Sequence, residues 1–174
     1  MSSDVSRELV SRVVALEQRL QRLEAVELGP QGGARLFNIA GQPFANGVWT
    51  ACIYDTVIQD TRGFWSPGNP TRFTADRDGT WSCSMSIQLP RGGGVGNRFY
   101  AAIRVNGVNW EYMQQNQDNP AAASVLTAVS GEVVLTAGNF VEFWAVQHSG
   151  APQITASAAP PNMHHHSAAF YQIL

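Results

Sequence analysis

The chain has 174 residues, 44% hydrophobic and only 14% charged, with a formal net charge of minus 2 and a pI near 6.0. Charge this sparse lies well below the roughly 25% usual for soluble domains. Interfaces between subunits are depleted in charge, so the composition favours a chain covered in part by copies of itself. The basic residues are scattered, with no run and no aromatic-flanked stripe, which argues against nucleic-acid binding. No stretch of about 18 apolar residues occurs, so an ordinary transmembrane helix is excluded and membrane insertion is not expected.

The chain opens on Met1, Ser2, Ser3 and Asp4, without the basic start and apolar centre of a secretory signal. From Leu9 the apolar residues step Leu9, Val13, Leu16, Leu20, Leu23, alternating four and three, which is a heptad seam. With Val13 and Leu20 at a and the leucines Leu9, Leu16 and Leu23 at d, the g positions hold Arg12 and Arg19 and the next e positions Glu17 and Glu24. In a parallel coil a g residue faces the next e residue of a neighbouring chain, so Arg12 would meet Glu17, and Arg19 would meet Glu24. Val5, Val10 and Val26 widen the apolar face, which favours three strands. The spacing therefore predicts a trimeric parallel coiled coil over 1–28, the alternative being one amphipathic helix packed on its own domain. A coil this short is marginal alone, so its stability must come largely from the domain behind it.

Gly29 and Pro30 end the helix, Gly32 and Gly33 follow, and 29–47 read as a linker or docking segment, with either the coil itself or 37–44 as the contact to a larger assembly. Beyond it, short runs rich in Val, Ile, Phe, Trp and Thr alternate with Gly, Pro, Asn and Asp clusters. That rhythm predicts strands over 48–54, 72–73, 79–89, 98–105, 124–135, 140–148 and 168–174, all within a head domain over 48–174. Alternation is cleanest in Trp81, Cys83, Met85, Ile87 and Leu89 against Ser82, Ser84, Ser86 and Gln88, one face core and one polar. Asn106 and Gly107 signal a hairpin. The two cysteines, Cys52 and Cys83, are too few for a disulfide scaffold and wrongly spaced for a zinc ribbon, so they read as buried thiols. An all-β jelly-roll sandwich behind an α-helical coil is the economical fold.

The run Phe73, Thr74, Ala75, Asp76, Arg77, Asp78, Gly79, Thr80, Trp81 resembles the strand entry "F-T-A-P-x-x-G-x-Y" of the complement component one q globular head and the tumour-necrosis-factor-like trimeric jelly rolls, phage versions included. Asp76 stands for the usual proline and Trp81 for the tyrosine. Residues 98–107 resemble that family's strand into an "N-G" hairpin. Leu135, Thr136, Ala137, Gly138, Asn139, Phe140 and Val141 resemble its "L-x-x-G-D-x-V" segment, with Asn139 where aspartate is common. Residues 167–174 resemble its terminal strand. The resemblance covers roughly 48–174 and implies a ten-stranded jelly roll in a tight trimer, with Phe170, Tyr171 and Ile173 at the trimer centre. It implies no common catalytic site; members bind proteins, polysaccharides or cell surfaces, sometimes with calcium near the axis.

Few residues suggest chemistry. Adjacent histidines in His164, His165 and His166 cannot all face one metal within a chain, but one from each of three chains could ring an axis; beside Pro160, Pro161 and Asn162 they read as solvated loop residues. Asp55, Asp60, Asp76, Asp78 and Asp118 lack the "D-x-D-x-D-G" calcium loop and read as turn carboxylates. Of Trp49, Trp65, Trp81, Trp110 and Trp144, most read as core. Trp65 precedes a Pro-Gly-Asn-Pro turn and Trp110 follows a hairpin signal, so these two are the candidate ligand contacts. No catalytic residue and no cofactor are expected, beyond a metal ion on a trimer axis.

These features, with the resemblance, point to a non-enzymatic homotrimeric virion protein of a bacteriophage: a head or tail fibre, spike or capsid decoration. It would assemble in the host cytoplasm, contact capsid or tail components, and meet a host surface glycan or protein. The competing readings are a cellular lectin-like module that binds through loop tips, and an enzyme of the trimeric jelly-roll kind.

Overall fold

In the computed structural model, residues 12–19, 32–90, 97–117, 124–155 and 166–173 are described. The chain divides into two units, Met1–Gln31 and Gly32–Leu174. In the first, 12–19 are helical and every one of these residues is exposed, Val13 and Leu16 among them. Leu9, Leu20, Leu23 and Glu24 of the heptad seam lie outside the described residues.

The second unit is built of strands. The early ones are β1 (Gly33–Phe37), β2 (Pro43–Phe44), β3 (Thr50–Ala51), β4 (Thr56–Asp60), β5 (Trp65–Ser66) and β6 (Asn69–Thr74). Then come β7 (Gly79–Pro90), β8 (Asn97–Val105), β9 (Val108–Gln117), β10 (Ser124–Leu135), β11 (Phe140–His148), β12 (Gln153–Ile154) and β13 (His166–Gln172). A first sheet runs β10-β7-β13-β1-β4 and a second β5-β6-β11-β8-β9, with β3 beside β11 and a small β12-β2 ribbon. The described ladders are antiparallel. The alternation read in β7 is realised: Trp81, Cys83, Met85, Ile87 and Leu89 are buried, while the serines and Gln88 between them are half-exposed. At the β8-β9 turn both Asn106 and Gly107 have positive φ, 50° and 82°, the two-residue geometry that Asn-Gly favours.

The expected border at residue 48 is corrected. The head begins at Gly32, and β1, inside the expected linker, pairs along its whole length with β13 and on its other side with β4. The glycines that read as breakers serve packing instead. A Cβ on Gly33 would run into Cδ1 of Tyr171, whose ring lies over that backbone. Gly32 is similarly closed in by Arg62 and Phe64.

Between the sheets lies an aromatic core. Phe170 stacks on Trp81, Phe64 sets its edge against both rings, and Phe73 links Phe170 to Phe143 and Tyr54. Offset and edge-on pairs of this kind add to the burial of apolar area. Cys52 and Cys83 are buried free thiols, as expected, and burial pushes Cys83 up to about 12, which keeps the nucleophilic thiolate scarce.

Candidate functional site

The outer face of the first sheet is built from small side chains brought into rows by register. One row reads Ala128, Ser86, Ser167, Phe37, and the next Ser130, Ser84, Ala169, Arg35, across β10, β7, β13 and β1. Ser86 and Ser167 join their hydroxyls across the strands at 3.0 Å. Because serine and alanine are short, this face is concave, with an open depression of about 480 Å³ edged by Arg35 and Tyr171. On their outer face those four strands carry one cation, Arg35, and one acid, Glu132. A broad, charge-poor and hollow surface of this sort suits a covering partner better than water.

The structure separates the terminal-strand residues. β13 alternates, burying His166, Ala168, Phe170 and Gln172 and turning Ser167, Ala169 and Tyr171 to the outer face. Tyr171 thus lies on the hollow face. Phe170 does not: it is fully buried in its own chain's core, and the expectation of a place at the trimer centre is corrected by strand parity. Ile173, just past β13, is half-buried and donates its backbone N–H to Thr80 O at 2.9 Å.

His164 and His165 lie outside the described residues. His166 is the first residue of β13 and is wholly buried, against the ring of Tyr54 at 5.2 Å and that of Phe44 at 6.4 Å, so the loop placement expected for it is corrected. Neither of its ring nitrogens has a hydrogen-bond partner. Burial pushes its pKa from 6.5 down to about 4, opposed by the negative charge of Asp55. Among the described residues no group of three His, Cys, Asp or Glu could hold a metal ion.

The described aspartates serve turns. Asp55 accepts the backbone N–H of Ile39 and Ala40. Burial would raise its pKa, but those bonds and the Thr56 hydroxyl outweigh it and hold the carboxyl low. Asp60 accepts N–H bonds from residues 62–65, Asp78 accepts that of Ala137, and Asp76 pairs with Arg62 at 2.8 Å. Asp118 lies outside the described residues.

The tryptophans divide differently from expectation. Trp65 packs half-buried on the core and donates Nε1–H to Pro70 O at 3.1 Å, so it is no free loop tip. Trp110 falls within β9 at the bulge opposite Ile103 and Arg104, past the turn itself, and its side chain lies outside the described atoms. Trp49 and Trp144, expected in the core, are half-buried at a surface instead. On the outer face of the second sheet Trp49 lies 6.4 Å from Tyr100, which meets His148 edge-on at 5.8 Å. On the same face Arg104 covers Trp144 at 3.9 Å. Beneath them Glu142 accepts from Arg72 Nε at 2.9 Å and Trp144 Nε1 at 3.2 Å. Along 140–148, Phe140, Glu142, Trp144 and His148 share one parity, which was the available signal for the β11 part of this stripe.

No protein-family model matches the sequence, and no curated protein matches it. Among solved structures, that of murine APRIL at pH 5.0 superposes with a TM-score of 0.60 over 82% of this chain and 99% of that one, at 10% identity. Two antiparallel sheets around one aromatic core, together with that superposition, give the chain a tumour-necrosis-factor-like jelly-roll fold.

Proposed function

We propose that this protein is a non-enzymatic homotrimeric structural module whose subunits associate through the outer face of the first sheet. The observation that carries this is the hollow serine and alanine surface across β10, β7, β13 and β1, with its single base and single acid. The fold it shares with APRIL is consistent with it. The N-terminal heptads over 1–28 add a parallel three-stranded stalk, since Val13 and Leu16, 47% and 65% exposed in one chain, need cover. Stalk and head together suit a bacteriophage virion component, a fibre, spike or capsid decoration that joins capsid or tail proteins and can meet a host surface.

The mass of the full-length chain by light scattering tests the assembly: three chains per particle supports it, and a single chain at all concentrations overturns it. Protein mass spectrometry of purified phage particles tests the virion role. Recovery of the chain at fixed stoichiometry with capsid or tail proteins supports that role, and recovery only in the soluble fraction sinks it.

A second reading, a lectin-like module, is favoured by the stripe of Trp49, Tyr100 and His148 on the second sheet, whose ring faces suit pyranose stacking. Glycan-array binding lost in Trp49→Ala with the fold intact would support it; an array with no signal would overturn it.

A further inference from the structure

On the outer face of β10, β7, β13 and β1 the two charges stand three strands apart. Arg35, on β1, edges the depression. Glu132, on β10 at one margin of the sheet, pairs in register with Ser82. Three strand spacings separate β10 from β1, about 14 Å, and no ion pair joins the two within the chain. Among the described residues neither side chain has any hydrogen-bond or ion-pair partner. Glu132 is flanked on its own face by Val134 and, further along, Leu126, 75% and 53% exposed. So the sheet's free margin bears apolar side chains and one acid, and the hollow beyond it bears one base.

We infer that the β10 margin of one copy enters the hollow of the next, and that Glu132 of one copy pairs with Arg35 of its neighbour. The inference rests on the self-association proposed above and supplies its recognition element. A contact between two different patches of the same chain is heterologous and closes into a ring when the rotation permits. Val134 and Leu126 lose water in that contact. A guanidinium covered without a partner would oppose it strongly, and Glu132 is the one acid available on that face. The guanidinium also meets a carboxylate with two parallel donors, which fixes orientation as well as attraction. The pair therefore sets the order and register of neighbouring copies.

Charge exchange in the full-length chain tests the pair. Sedimentation equilibrium is measured for the wild type, Arg35→Glu, Glu132→Arg and the double variant, with near-ultraviolet circular dichroism to confirm that each subunit is folded. Each single reversal is expected to raise the dissociation concentration at least about tenfold, and the double exchange to restore most of the loss. Arg35→Gln and Glu132→Gln, which remove charge without adding repulsion, should give smaller losses of the same sign. A wild-type trimer unmoved by the single reversals, or a double variant as weak as its parents, overturns the pair while leaving the trimer standing. A monomeric wild type overturns the trimer and the pair together.

Discussion

The ring of Phe170 lies on that of Trp81, with centroids 4.4 Å apart and planes only 9° from parallel. The two residues sit on neighbouring strands of one sheet and fill the space against the other. A large terminal-strand aromatic thus stabilises its own subunit, while the alternate residues Ser167, Ala169 and Tyr171 turn to the outer face.

Phe170→Ala is accordingly expected to cost about 3–5 kcal/mol of subunit stability. Urea titration followed by tryptophan fluorescence measures it. The midpoint should fall in dilute and concentrated samples alike; a loss confined to dilute samples would place the side chain between subunits instead.

Gly33→Ala puts a methyl group into the ring of Tyr171, against Cδ1. Either the ring or β1 must shift, at about 1–3 kcal/mol. In Tyr171→Ala the obstruction is gone, so adding Gly33→Ala there should cost far less, a coupling that a double-mutant cycle reads directly.

Acid should weaken the fold in two windows. His166 binds a proton at about pH 4 when folded and near 6.5 when unfolded. Between those values the unfolded chain holds more protons, so stability is full above about pH 6.5 and falls as pH drops toward 4. The gap corresponds to about 3 kcal/mol. Asp55 acts lower, since its depressed carboxyl contributes stability above 3.8 that is lost below it. Melting temperatures across pH should slope between 4 and 6.5 in the wild type and flatten there in His166→Leu, and an identical slope in both would remove His166 as the cause.

Replacing Leu16 and Leu20 by glutamine is expected to leave the head folded and unravel the stalk, since each leucine buried in a seam contributes about 1.5–3 kcal/mol. Far-ultraviolet helical signal should drop while the β melting transition stays. Loss of both at once would mean that head and stalk do not divide the work in this way.

How much of this was legible in the sequence depended on local contrast. β7 announces itself because five apolar residues alternate with serines and a glutamine, and the Asn106-Gly107 turn because few other dipeptides accept two positive φ values. β1 was hidden because Gly32 and Gly33 look like punctuation until Tyr171, distant in sequence, is laid over them. β9 was hidden because a polar run such as Gln114 to Gln117 has no apolar period. The side to which Phe170 points could not be read from hydrophobicity, since a core between sheets and a core between subunits want the same residue; only register against Cys83 and Ala34 decides it. The hollow face was invisible for the opposite reason, because serine and alanine give no sequence signal until four strands place them in rows.

β13 lies between β7 and β1 in the middle of the first sheet, although its residues, 166–172, follow almost everything else. Until the ribosome has delivered that segment, β7 and β1 have no strand between them and Trp81 has no Phe170 to stack on. Pairing with β1, some of the most distant contacts in the chain, closes a long loop, and topologies of this kind fold slowly. Until that strand is made, a nascent chain has a gap in the first sheet with the facing edges of β7 and β1 unsatisfied, the state in which exposed strands capture one another. Closure of the first sheet therefore waits on one seven-residue strand, β13.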